Sequence, residues 1–157
     1  MWRRQAWEVI VGLVRALIAG IACACVLLGC GRTPPEARLR ETIDASQQYL
    51  ATRDAASLSD VVAEDFVGPD GMDCAGLRRM AQAAFLRYRA IGVNLGPMQV
   101  DMADGGRHAT VRFTAALTGG DGALLPESAR LYAVESGWRE GDGGAWELTS
   151  LRWEGTK

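Results

Sequence analysis

Residues 98–117, MQVDMADGGRHATVRFTAAL, decide the fold class of this chain, because its hydrophobic period there becomes two. Met98, Val100 and Met102 alternate with polar residues up to Asp104-Gly105-Gly106, a hairpin signal. Ala109, Val111, Phe113, Ala115 and Leu117 then alternate with His108, Thr110, Arg112, Thr114 and Ala116. Successive strand side chains point to opposite faces, so this second strand presents one apolar face to a core and one mostly polar face outward. Pro97, without an N–H to donate, marks a bulge or an edge.

Toward the C-terminus, a loop over Gly119 to Glu127 leads to a strand from Ala129 to Arg139. A turn over Glu140 to Gly144 and a last strand from Ala145 to Glu154, carrying Trp146, Leu148, Leu151 and Trp153, complete the chain. Neighbouring strands joined by short connections are expected to pair antiparallel.

Toward the N-terminus the period becomes helical. Leu39, Ile43, Gln47 and Leu50 predict an amphipathic helix from Glu36 to Thr52. Ser57-Leu58-Ser59-Asp60 fits a capping box for a short second helix ending near Glu64. Asp65-Phe66-Val67 reads as a brief strand running into the turn Gly68-Pro69-Asp70-Gly71. From Asp73 a stronger helix places Leu77, Met80, Ala81, Ala84, Phe85, Tyr88 and Ile91 on one face, with Arg78, Arg79, Gln82 and Arg89 largely opposite. The expected domain is α+β, a curved antiparallel sheet with helices on one face, spanning 36–157.

Residues 1–35 read differently. Arg3, Arg4 and Arg15 precede an uninterrupted small and apolar run, Ala16 to Cys30, the layout of an export signal. Leu27-Leu28-Gly29-Cys30 resembles the bacterial lipobox, which implies cleavage after Gly29, acylation of Cys30 and stable membrane attachment by several acyl chains. An uncleaved anchor is the alternative, and either arrangement puts the domain outside the cytoplasm. Residues 30–35 then form a short tether stiffened by Pro34-Pro35. Gly31 after the cysteine, by resemblance to sorting rules in Gram-negative bacteria, favours the periplasmic side of the outer membrane.

Composition bounds the rest. The chain has 157 residues, 48% hydrophobic and 23% charged, within the range of a single folded domain. Removing residues 1–29 leaves 128 residues with 14 basic and 18 acidic side chains, which excludes a basic nucleic-acid footprint. Cys23 and Cys25 would leave with the signal, so Cys74 has no disulfide partner and reads as a structural thiol. One histidine excludes a multi-histidine metal site, and the expectation is no metal and no cofactor.

Two segments carry a family resemblance. Tyr49 to Leu58 continuing through Glu64 to Gly71, and Trp146 to Trp153, resemble the nuclear transport factor 2-like superfamily, which includes ketosteroid isomerases and SnoaL-type polyketide cyclases. The resemblance implies a cone of curved sheet around a helix whose open end can hold a small molecule, in a family many of whose members have no catalytic residues. Phe66, Phe85, Tyr88, Phe113, Tyr132 and Trp146 are the pocket-lining candidates, against the plainer reading that aromatic residues fill the core.

Catalysis by an isomerase, dehydratase or cyclase needs a base beside an apolar cavity and a donor for the developing enolate. Asp65 with Tyr88 or Tyr132 are the candidates. His108 falls on the polar strand face, and Ser150 and Arg152 occupy final-strand positions where catalytic relatives carry an acid or base. These residues favour a non-catalytic envelope domain that binds a small molecule or an envelope protein. The polar face of Thr110, Arg112 and Thr114 suits a partner or a homodimer.

Overall fold

The stripe of Leu39, Ile43, Gln47 and Leu50 becomes helix α1 (Pro35–Thr52) in the computed structural model, which describes residues 33–120 and 128–156. The signal segment and Cys30 lie outside the described residues. Pro35 opens the helix, where a missing N–H costs nothing, and Arg53 ends it in the left-handed conformation (φ 59°).

Helix α2 (Ala55–Asp60) starts three residues earlier than the capping-box reading placed it. Asp54, not Ser57, is the cap: its carboxylate accepts from the Ser57 backbone N–H at 3.0 Å and from the Ser57 hydroxyl at 2.7 Å. The spacing of a capping box is present, but one turn upstream, with the acid as acceptor. The helix ends well before Glu64, because strand β1 (Val62–Val67) begins there.

Helix α3 (Cys74–Arg87) is capped by Asp73, whose carboxylate accepts from the Gly76 N–H at 2.7 Å. It ends before Tyr88, so Ile91, expected on its apolar face, belongs instead to strand β2 (Ala90–Leu95). Strand β3 (Gln99–Met102) follows across Gly96-Pro97, and β4 (His108–Gly120) pairs with both: its last residues with β2, its first with β3. Five strands therefore follow α3 where four were expected, because Pro97 divides one edge into two. Strands β5 (Ser128–Glu140) and β6 (Trp146–Gly155) complete the six-stranded sheet, ordered β1-β6-β5-β4-β2.

The curved α+β sheet was expected to be antiparallel throughout, and it has one exception. β1 pairs parallel with β6. A strand that returns to the sheet across a long connection is free of the hairpin geometry that forces neighbours antiparallel.

Packing is concentrated at one end. Leu39 and Ile43 of α1, Phe66 of β1, Ala109 and Val111 of β4, Trp138 of β5, and Trp146 and Leu148 of β6 form the buried cluster. Both tryptophan N–H groups are satisfied inside it: Trp146 donates to the Pro35 carbonyl at 3.1 Å and Trp138 to the Ser136 hydroxyl at 2.9 Å. Ser136 in turn donates to the Val111 carbonyl at 3.3 Å, so this buried hydroxyl bridges two strands. The Arg38–Glu140 ion pair seals the same end beside the β5–β6 turn. This is the closed end of the sheet; the opposite end is formed by the last turns of α1 and α3, the start of β2 and β5 and the last residues of β4.

Candidate functional site

The core-facing side of β4 is set by its odd-numbered positions, of which Ala109, Val111 and Ala115 are buried. Leu117 continues that face on a strand flanked on both sides, yet it is 39% exposed. An apolar side chain facing inward from a central strand is normally covered, as is Val93, its partner on β2 at 8% exposure, whereas Leu117 is covered only in part.

Its surroundings follow from the register. Directly opposite Leu117 stands Arg130, and opposite Ala115 stands Tyr132, so both project to the same inward face. Two residues further along β4, Gly119 lies under the Tyr88 ring: a Cβ there would be 2.8 Å from Tyr88 Cδ1, so the close approach requires glycine. The Arg87 guanidinium sits 5.5 Å from the centre of the Tyr88 ring, and its Nε donates to the Tyr88 hydroxyl oxygen at 3.2 Å. Arg53 reaches from the end of α1 to the Phe85 carbonyl at 3.5 Å, which brings the ends of α1 and α3 together. The open end thus offers an inward-facing surface of Tyr88, Leu117 and Tyr132 rimmed by Arg53, Arg87, Arg89 and Arg130.

The six pocket-lining candidates divide between the two ends. Phe66 and Trp146 are each 3% exposed and belong to the buried cluster, so they fill the closed end. Phe113 is half-buried against that cluster, while Phe85, Tyr88 and Tyr132 are half-buried toward the open end. Leu117, Arg130 and Gly119 carry the site's geometry and escaped the sequence reading. An apolar residue at the end of an alternating strand gives no sign that its cover is incomplete.

The catalytic candidates are not brought together. Asp65 lies on the outer face with its side chain 65% exposed, held by Arg139 through bonds of 2.9 and 3.0 Å. Glu147 takes a further bond from Arg139 at 3.1 Å. The Arg139 guanidinium holds the Asp65 carboxyl below the usual carboxylate range, the opposite of what a general base near neutral pH requires. Tyr132 is seven residues from Arg139 along β5, about 23 Å at ~3.3 Å per residue, and faces the other way. His108 is exposed on the outer face, where Arg112 links Asp101 of β3 to Glu135 of β5. Cys74 is a half-buried free thiol in an apolar cleft with Leu58, Val62 and Leu77, at whose edge Arg78 donates to Ser59. Among the described residues, no group of three or more His, Cys, Asp or Glu side chains is placed to hold a metal ion.

No family model and no curated protein matches the sequence. Solved structures do match the fold. A nuclear transport factor 2-like protein of unknown function from Pseudomonas putida superposes with a TM-score of 0.65 at 18% identity, over 78% of this chain and 87% of that one. A scytalone dehydratase-like protein from Novosphingobium aromaticivorans gives 0.65 at 11% identity, over 78% and 84%. Bd1075 from Bdellovibrio bacteriovorus gives 0.65 at 12% identity over 76% of this chain, which spans only 40% of that longer one. With its curved sheet, its helix order and these superpositions, the domain has the nuclear transport factor 2-like fold.

Proposed function

We propose that this chain is a cell-envelope lipoprotein, anchored through acylated Cys30, whose domain binds a small molecule at the open end of its sheet without transforming it. The observation that carries the binding reading is Leu117, an inward apolar residue on a central strand left 39% exposed beside Tyr88, Arg130 and Tyr132. Concave apolar surfaces with a few convergent polar groups are where small ligands bind.

The anchoring reading rests on Leu27-Leu28-Gly29-Cys30 at the end of an apolar run. No helix among the described residues is long and apolar enough to cross a membrane. The non-catalytic reading rests on the outward position of Asp65 and its capture by Arg139. An isomerase, dehydratase or cyclase, suggested by the scytalone dehydratase-like relative in fold, would need a base other than Asp65.

Native mass spectrometry of residues 31–157 purified from the periplasm tests the binding reading, and a reproducible added mass lost with Leu117→Arg is the expected result. A bare chain in every preparation would overturn it. Labelled palmitate tests the anchor separately: incorporation into the full chain and none into Cys30→Ala is expected, and equal labelling of both would remove the lipoprotein reading.

A further inference from the structure

We infer that the open end selects anions: it takes a small amphiphile whose carboxylate, sulfonate or phosphate head meets Arg130 and Arg87 while its apolar body lies on Leu117, Tyr88 and Tyr132. This rests on the open end being a binding site and adds the chemical class of its ligand.

Four arginines gather there in a chain of net charge −2. Contacts fix their common location: Arg53 bonds the Phe85 carbonyl, Arg87 lies over the Tyr88 ring and bonds its hydroxyl, Tyr88 covers Gly119, the Arg89 N–H bonds the Gly120 carbonyl at 3.0 Å, and Arg130 stands opposite Leu117. Among the described residues, none of the four is paired with a carboxylate. Elsewhere Arg38 is paired with Glu140, Arg139 with Asp65 and Glu147, and Arg112 with Asp101 and Glu135. Arg78, Arg79 and Arg107 have no carboxylate partner among the described residues but fall in two places, the first two on α3 and the third before β4. Asp54, nearest in sequence to Arg53, is engaged by Ser57, and Glu154 stands opposite Ala133 on the outer face. Residues 121–127 lie outside the described residues.

The geometry also says why the ligand is an amphiphile. All four arginines are exposed, and a fully hydrated ion gains little from an exposed guanidinium. An apolar body seated on Leu117 and the tyrosine rings excludes water from one side of the charge pair and strengthens it. Guanidinium is the suitable cation, because it is planar, weakly hydrated and is attracted to aromatic rings, as Arg87 lies 5.5 Å from the centre of the Tyr88 ring.

The test titrates the chain from residue 31, which keeps the whole unit packed from Pro34, with naphthalene-1-carboxylate, naphthalene-1-methanol and inorganic phosphate at low salt. The carboxylate is expected to bind about tenfold more tightly than the alcohol, and phosphate not measurably. Arg130→Gln should remove most of that preference and Arg40→Gln, a charge at the other end of α1, none of it. Equal binding of carboxylate and alcohol would leave the binding site standing and overturn the anion inference. Failure of both to bind would overturn the binding site and the inference together. Equal loss in both variants would reduce the preference to the general field of the protein and so overturn it. Capture of the chain by anionic phospholipid vesicles, undisplaced by the naphthoate, would assign the arginines to a membrane surface and overturn it as well.

Discussion

At the closed end Trp138 and Trp146 are 5% and 3% exposed, and each indole N–H finds an acceptor within the fold. At the open end Tyr88 and Tyr132 are only half-buried, Leu117 is covered only in part, and Arg130 stands beside it without a carboxylate among the described residues. The same sheet face and the same strands, β4 and β5, run through both ends. Apolar residues continue along the face, but past the buried Val93 and Ala115 the packing above Leu117 is incomplete. Stability should therefore reside in the first half of β4 and recognition in the second, so the two properties can be altered independently.

The largest test of that separation is truncation of the closed end. Trp138→Ala should cost about 3–5 kcal/mol in urea denaturation, the range for emptying a well-packed aromatic site. Leu117→Ala should cost less than about 1 kcal/mol, because much of that side chain is already in water. Equal losses would show that the open end is covered in solution. Next in size, Ser136→Ala should cost about 1–3 kcal/mol by leaving the buried Trp138 N–H without its acceptor, and Ser136→Thr, which keeps the hydroxyl, should recover part of it. Tyr132→Phe should leave stability within about 0.5 kcal/mol while altering any ligand affinity, a sign that the two ends are uncoupled.

The smallest effect concerns acid. Asp65 is held below the usual carboxylate range by Arg139, and Asp54 by its bonds from Ser57. Each lowered value means stability that is present above the usual carboxylate range and lost as the pH falls through the folded-state value. Asp65→Asn should therefore flatten the acid limb of a stability profile slightly and leave its neutral region nearly unchanged. A large loss at neutral pH would show that this exposed pair matters more than its setting suggests.

Much of the architecture was legible because periodicity survives packing. The alternation from Ala109 to Leu117 gave both the strand and its inward face, and Leu39 and Ile43 gave the buried side of α1. Element ends were less legible. The cap of α2 moved from Ser57 to Asp54 because both residue types accept hydrogen bonds and only backbone geometry selects between them. Pro97 signalled an interruption without saying that strands would stand on both sides of it. The division of the aromatic residues was not legible at all: Phe66 and Phe85 look alike in sequence, and only the tertiary position of their strand and helix buries one and half-exposes the other. Asp65 escaped in the same way, since its partner Arg139 is 74 residues distant.

The parallel pairing of β1 with β6 bears on the order in which the molecule can assemble. The closed end joins the beginning of the domain to its end: the Trp146–Pro35 bond spans 111 positions and the Arg38–Glu140 pair 102. Closing loops of that length is slow, and no partly synthesised chain can complete this core before β6 is available. A polypeptide emerging from its N-terminus therefore cannot close this end of the domain until β6 has followed, and deletion of that strand should leave Phe66, Trp138 and Leu39 without the cluster that buries them.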